Sequence, residues 1–434
     1  MSGRDIYKLV CELYDIPRSI TGDGVRSTLS IIKEKYLPEL KIYEVATGEE
    51  ICDWTVPEEW NIKNAYIANS EGVRIIDFKK NNLHVVGYSE AVDRSVSRQE
   101  LSDYIYTLPD MPDAIPYVTS YYRRTWGFCM TENQRKQLSE KNYKVVIDSE
   151  FKEGSLTYAD LVLKGNEVSE VFISTYICHP SMANNELSGP CLSVYLARWL
   201  SERKNRYTYR FAYTPETIGS IAYLSKNINH LKDNTIASFN LTCVGDDKNT
   251  SFLPSRNGDT FTDKVARHVL KYSNLIYKEY DFLKDRGSDE RQYCSPGIDL
   301  PMVSIMSSKY GEYPEYHTSL DNLDFVSEEG FNKSFYLHRD CILIIESNYF
   351  YESILIGEPF LSKRGKGFMI VGGVENNDSQ ASQKLLDVLM CCDGQNDIVD
   401  IANKLDIYVM ELMDIFSYLV DEGLVVKNIE KRMN

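Results

Sequence analysis

The sequence predicts an α/β fold: a mixed central sheet flanked by helices, with a small β-rich insert and a C-terminal winged helix. Three observations predict it. From about residue 134, apolar strand-like runs alternate with amphipathic helical ones, the pattern of a sheet covered on both faces. Before them, short β-like runs give way to a stretch rich in proline and aromatics. After them, three short helical patterns are closed by one strand, the order of a winged helix. At 434 residues the chain is too long for one ordinary core. These changes of character put the α/β domain at 1–50 and 134–356, the insert at 51–133 and the winged helix at 357–434.

In chain order, Ile6 to Lys35 opens as a helix, pauses at IPRSITGDG and resumes with Val25, Leu29, Ile31 and Ile32 at helical spacing. The Thr-Gly-Asp-Gly turn supplies the start of that second helix. LKIYEVATG is a strand. NAYIAN, VRIIDF and LHVVGYS are the short β runs of the insert, followed by LPDMPDAIPYVTSYYRRTWGF. YKVVIDSEF, LTYADLVLK, EVFISTYIC, YTYRFAYTP and TIASFNLTCV are rich in β-branched and aromatic residues and read as strands of the α/β domain. GPCLSVYLARWLSER, IGSIAYLSKNI, FTDKVARHVLKYS and EEGFNKSFYLHRDCILIIESNYFY are its helices. In the tail, KRGKGFMIVGG and a polar NNDSQASQ linker precede the helices KLLDVLMCCDG, DIVDIANKLDI and YVMELMDIFSYLVDEG and the strand LVVKNIEK.

A hydrophobic fraction of 43% with 26% charged residues belongs to a globular protein, not a disordered one. The net charge of −16 disfavours nonspecific attachment to nucleic acid or to anionic membranes. No apolar run reaches the roughly 20 residues needed to span a bilayer. The N-terminus carries charges where an export signal needs an apolar stretch. With ten scattered cysteines and no CxxC pair, the expectation is a cytoplasmic protein with reduced thiols. From Ala381 onward, ten acidic residues face five Lys plus Arg, and the third helix of the tail holds no basic residue. Such a helix lacks phosphate contacts, so a protein partner is expected there in preference to nucleic acid.

Six histidines are present, and two stand where chemistry collects. His179 ends the strand VFISTYIC and is followed by PSMANNELSG, a polar loop leading into a helix. His317, in EYHTSLDNLD, follows the strand-like PMVSIMSS. Glu216, in RFAYTPETIGS, again follows a strand and precedes a helix. Ligands and catalytic groups gather at the C-terminal edge of strands in an α/β sheet. A carboxylate there is costly unless it is paired, liganded or solvated. Two histidines and a glutamate make a catalytic zinc set with a position left open for water. His84, His230, His268 and His338 lack such a context and read as structural or surface residues.

The run from His179 through Gly189, then PETIGS, then YHTSLDNLD resembles the dizinc aminopeptidase superfamily. In that superfamily a His, an Asp-Asn-x-Ser-Gly-type turn, a Glu and a late His bind two metals. IPRSITGDGVRSTL, DWTVPEEWNIKNAYI and GSDERQYCSPGIDLP are similar to one bacterial branch of it. That branch comprises aminopeptidase-like proteins often encoded near polysaccharide-biosynthesis genes, and it carries an inserted β-rich domain and a C-terminal winged helix. The resemblance implies a zinc-exopeptidase-like domain that hydrolyses a peptide or related amide bond in a small-molecule substrate. It implies metal positions at His179, Asn185, Glu216 and His317.

Three family positions are changed here. Asn185 stands for a bridging aspartate, Pro215 for the first of two adjacent glutamates, and Thr242 for a ligand aspartate. The changes strip charge from one metal position, so one zinc ion is expected in preference to two. Asp246 and Glu186 are the nearest replacement carboxylates. Glu216 is the candidate catalytic residue, as ligand or as proton acceptor. The GSDERQYCSPGID loop resembles the superfamily's substrate-side loop and makes Asp289 and Arg291 candidates for substrate binding. The alternative is a peptidase fold that has lost catalysis and serves as a binding or regulatory module. Oligomeric state is not disclosed by the sequence.

Overall fold

The computed structural model describes residues 2–364 and 377–428. The chain divides into two compact units, Met1–Thr262 with Ile276–Tyr336, and Asp263–Leu275 with Leu337–Asn434. In the first unit eight strands form one sheet. They are β1 Lys41–Ala46, β2 Ser155–Leu163, β3 Glu170–Tyr176, β4 Thr208–Thr214, β5 Thr235–Asn240, β6 Ser251–Leu253, β7 Lys278–Glu279 and β8 Met302–Met306. Their order is β1-β2-β4-β3-β5-β8-β6-β7.

The middle strands β4, β3, β5 and β8 run parallel. β1 and β2 extend one side antiparallel, and β6 lies antiparallel to β8. The sheet is therefore mixed, as expected. Every residue of β3 and β8 is buried, which explains why both read as continuous apolar runs without alternation. The helices Ser188–Ser201 and Ile218–Asn234 follow β3 and β4. The first begins pressed against the sheet: a Cβ on Gly189 would stand 2.2 Å from the Leu241 carbonyl oxygen, so glycine is required there. Because the four middle strands are parallel, the loops leaving them open on one edge of the sheet.

A second, antiparallel sheet joins Arg74–Asp77, Glu59–Ala68, Asn142–Lys152 and Val92–Ser97 in that order. Asn142–Lys152 lies outside the 51–133 range and was expected in the central sheet. Its burial alternates, with Tyr143, Val145 and Ile147 inside and their neighbours further out. That period belongs to a sheet with one wet face, not to the doubly covered one.

At the start of Glu59–Ala68, the Glu59 carboxylate accepts from Arg26, from Asn61 Nδ2 at 2.9 Å and from the Ser155 amide at 3.1 Å. Burial alone would raise this carboxyl, but Arg26, Asn61 and Ser155 hold it down at about 2. A depressed carboxyl stabilises the fold above its ordinary value of about 4.5, and that stabilisation is lost as the pH falls through about 2. Glu59→Gln should therefore unfold at lower urea than the parent at neutral pH. The two midpoints should converge as the pH approaches about 2.

In the second unit, Asp393–Asp397, Phe350–Ser353 and Val425–Asn428 form a three-stranded antiparallel sheet. It is joined by the helices Asn377–Met390, Ile398–Leu405 and Val409–Asp421, the order of a winged helix. The first of these helices takes in most of NNDSQASQ, which was expected as a linker. KRGKGFMIVGG beyond Arg364 and the last residues of LVVKNIEK lie outside the described residues. FTDKVARHVLKYS was expected to cover the central sheet, yet Asp263–Leu275 belongs to this unit. Lys264, His268 and Lys271 share one face of it and bond to Asp397, Asn403 and Asp406. Among the described residues, no helix is long and apolar enough to cross a membrane.

Candidate metal centre

The parallel edge of the sheet gathers the predicted residues. His179 follows β3 by three positions and Glu216 follows β4 by two. His179 Nε2 lies 3.5 Å from Glu216 Oε2, and the rings of His179 and His317 stand 5.4 Å apart. All three line one cavity of about 380 Å³, together with Arg291, Tyr117 and Tyr121.

Two turns of this edge are strained. Thr217 has φ 64° and His317 φ 55°, a left-handed region that a β-branched residue adopts only under constraint. At Thr217 the amide donates to Asp289 Oδ1 at 2.7 Å, and Arg291 Nη2 donates to the Thr217 hydroxyl at 2.8 Å. At His317 the carbonyl accepts from the Tyr117 amide at 2.9 Å, while Ser319 exchanges hydrogen bonds with Ile115.

His179 Nδ1 lies 2.7 Å from Glu186 Oε2. Glu186 is fully buried, and so is Arg18, whose Nε stands 3.8 Å from Glu186 Oε1. A carboxylate on one imidazole nitrogen fixes the ring and leaves the other nitrogen for coordination. Burial alone would favour the neutral ring, but Cys178 and Glu186 hold the His179 pKa above its ordinary value. His317 goes the other way. Burial and the neighbouring His179 push it down to about 3, and its buried Nε2 has no hydrogen-bond partner among the described residues. Burial raises the Glu216 carboxyl, opposed by His179 and Arg291.

A neutral imidazole nitrogen without a partner, beside a carboxylate and a second imidazole, is a donor set lacking its acceptor. The 3.5 Å separation of His179 and Glu216 also fits a tetrahedral ion. Bonds of about 2.0–2.1 Å put two such ligand atoms roughly 3.3 Å apart. The residue types present fit a zinc-type ion, but the ligand atoms of His179, Glu216 and His317 do not all lie within 4.8 Å of one another, so an ion would have to draw His317 toward the other two. Among the described residues, Cys178, His179 and Glu186 are the three groups whose ligand atoms lie within 4.8 Å of one another, but burial pushes the Cys178 thiol up to about 11. His179 Nδ1 is already bonded to Glu186, so this side of the ring orients it and does not coordinate.

The other expected residues fare unequally. Asn185 and Thr242 do converge, but on Tyr176. The tyrosine hydroxyl meets Thr242 Oγ1 at 2.6 Å, donates to the Asn185 carbonyl at 2.8 Å and accepts from Asn185 Nδ2 at 2.8 Å. Asn185 keeps one buried acceptor, Oδ1, without a partner among the described residues, but it does not line the cavity. Asp246 is not brought to the cavity. It accepts from Asn184 Nδ2, from the amide and hydroxyl of Ser308 and from the Lys248 amide, at 2.8–3.0 Å. Four donors on one buried carboxylate make it a loop anchor, not a replacement ligand. Asp289 is also buried, holding Thr217 and Ser220 from behind, so it supports the Glu216 turn instead of meeting substrate. Glu186 is a partner of His179, not a ligand in its place.

Sequence reasoning missed Arg18, Tyr176, Tyr117 and Tyr121. Tyr117 packs edge-on against both His179 and His317, at 5.1 and 5.2 Å, and its hydroxyl meets that of Tyr121 at 2.9 Å. Both come from the proline- and aromatic-rich stretch of the insert, whose density of tyrosines was the available signal.

A family model described as a domain of unknown function (DUF4910) matches residues 7–348, and a winged helix-turn-helix model matches 349–427. A curated protein of Clostridium acetobutylicum, provisionally named as a polysaccharide biosynthesis protein with an aminopeptidase-like domain, is 45% identical over 404 residues. That match covers 93% of this chain and 92% of the relative. The crystal structure of a protein provisionally named a peptidase, also from C. acetobutylicum, superposes with a TM-score of 0.91 at 40% identity. It covers 98% of this chain and 96% of that one. A zinc aminopeptidase from Bacillus subtilis shares the fold, with a TM-score of 0.55 and 13% identity over 79% of this chain and 94% of that one. Over residues 7–348 the chain belongs to the DUF4910 family, whose fold here is aminopeptidase-like, and a winged helix-turn-helix follows it.

Proposed function

We propose that the protein is a metal-dependent hydrolase of peptide or related amide bonds, with one zinc ion held by His179, Glu216 and His317. The observation that carries this reading is the donor set itself. Two imidazoles and a carboxylate face one cavity; one imidazole is oriented by buried Glu186, and the other is neutral and unpartnered. When bound, the ion would supply Lewis-acid polarisation of the scissile carbonyl and acidification of a water.

The remaining work falls to the chain. Glu186 keeps His179 Nε2 turned to the cavity. Tyr117 and Tyr121 share one hydrogen bond, and burial raises both phenols. The pair therefore retains one O–H that can donate to a substrate oxygen. Glu216 is the one acidic side chain lining the cavity; committed as a ligand, it would not also serve as proton acceptor, and with Pro215 beside it no second carboxylate lines the cavity for that role. The same replacement favours a second reading, a module that binds without hydrolysing. In the winged helix, Val409–Asp421 carries no basic residue, which supports contact with protein over nucleic acid.

Metal analysis tests the first reading. The purified protein should retain about one equivalent of zinc, and His317→Ala should lose most of it. No zinc after reconstitution, in parent and variant alike, would overturn the metalloenzyme. With zinc bound, turnover of an acyl-amide panel no faster than a Glu216→Ala control would select the binding module.

A further inference from the structure

We infer that this cavity takes an amide bearing a carboxylate close to the scissile bond and no free amine; the inference rests on Glu216 serving the metal, as proposed above. A carboxylate is the strongest receiver of a substrate's ammonium group, through charge-assisted hydrogen bonds. Among the residues lining the cavity, Glu216 is the one acidic side chain and Arg291 the one permanent cation. With Glu216 committed, the fixed charge left for a substrate is positive.

The other acidic groups around the cavity do not line it, although Glu186 Oε1 and Asp289 Oδ2 are buried without a hydrogen-bond partner among the described residues. Glu186 is held by His179 and Arg18. Glu290 accepts from the Tyr310 hydroxyl at 2.7 Å and from the amides of Gly287 and Ser288. Asp289 lies beneath the turn, on Thr217 and Ser220. Arg291 differs. It forms no ion pair with a described residue, and its one hydrogen bond among them, Nη2 to the Thr217 hydroxyl, pins a corner of the fork. The remaining N–H groups are free for the planar, two-oxygen contact that a carboxylate offers.

Four further lining residues are aromatic: Tyr117, Tyr121, Tyr122 and Trp54. Trp54 and Tyr122 are 37% and 62% exposed, with rings 6.2 Å apart. Such rings offer a flat apolar surface. The substrate class is an N-acylated amino acid or similar acid amide with a ring-bearing group.

Calorimetric titration of the zinc-loaded full chain with N-acetylphenylalanine and with phenylalanine amide compares the two charge signs on one scaffold. The acid should bind more tightly. Arg291→Met should weaken it roughly 10–100-fold, the range of charge-assisted hydrogen bonds, and should not weaken the amine. Arg291→Lys, which keeps the charge without the fork, should fall between. A preference for the amine, or acid affinity unmoved by Arg291→Met, overturns the inference. Zinc is measured on the same samples. Bound zinc with the amine preferred removes the substrate class alone; absent zinc removes the reading beneath it and this one too.

Discussion

Replacing Arg18 by methionine should cost about 3–5 kcal/mol of stability, the range for breaking one side of a buried ion pair. Arg18 is 2% exposed. Its Nε donates to the His179 carbonyl at 3.0 Å and its Nη1 to the Leu13 carbonyl at 2.7 Å. Burial pulls the guanidinium pKa down, and Glu186 is the main group holding it up. Without Arg18, the Glu186 carboxylate stays in a region closed to water with only His179 to balance it. Urea unfolding measures the loss. The double variant Arg18→Met/Glu186→Leu should recover part of it, because neither charge then stands alone. A loss below about 1 kcal/mol, the size of an exposed pair, would show that water reaches Glu186.

Glu186→Gln should lower zinc affinity about 10–100-fold, the usual effect of removing a carboxylate behind a ligand imidazole. Glutamine keeps an acceptor for His179 Nδ1, so the fold persists while the anionic partner of the ring is lost. A chelator competition titration reads the change directly. Unchanged affinity would mean that His179 does not serve the ion through Nε2, and the donor set would have to be redrawn.

The central sheet was legible because its parallel strands are buried on both faces, and a run such as EVFISTY admits few other settings. His179, Glu216 and His317 were legible because polar residues at strand ends are conspicuous in such a sequence. What could not be read was pairing over distance. Asp246 looked available because none of its donors adjoins it except the Lys248 amide; the others come from Asn184 and Ser308. Tyr176 sits in an apolar strand, and nothing local marks its hydroxyl as the meeting point of Asn185 and Thr242. Asn142–Lys152 was assigned to the wrong sheet because strand propensity was weighed above its period of two.

The hydrogen bond from the Ile115 amide to Ser319 Oγ spans 204 residues of chain, and it secures the turn that presents His317. Closing so long a loop must await most of the unit, since contacts of high sequence separation are the slow ones in folding. During synthesis, His179 and Glu216 emerge well before the residue that completes their set. On the proposed donor set, a partly folded chain would hold two donors and a gap, and the centre would become competent only when the insert has reached the loop after β8. Capture of an ion would mark the end of folding in this unit, not its nucleation.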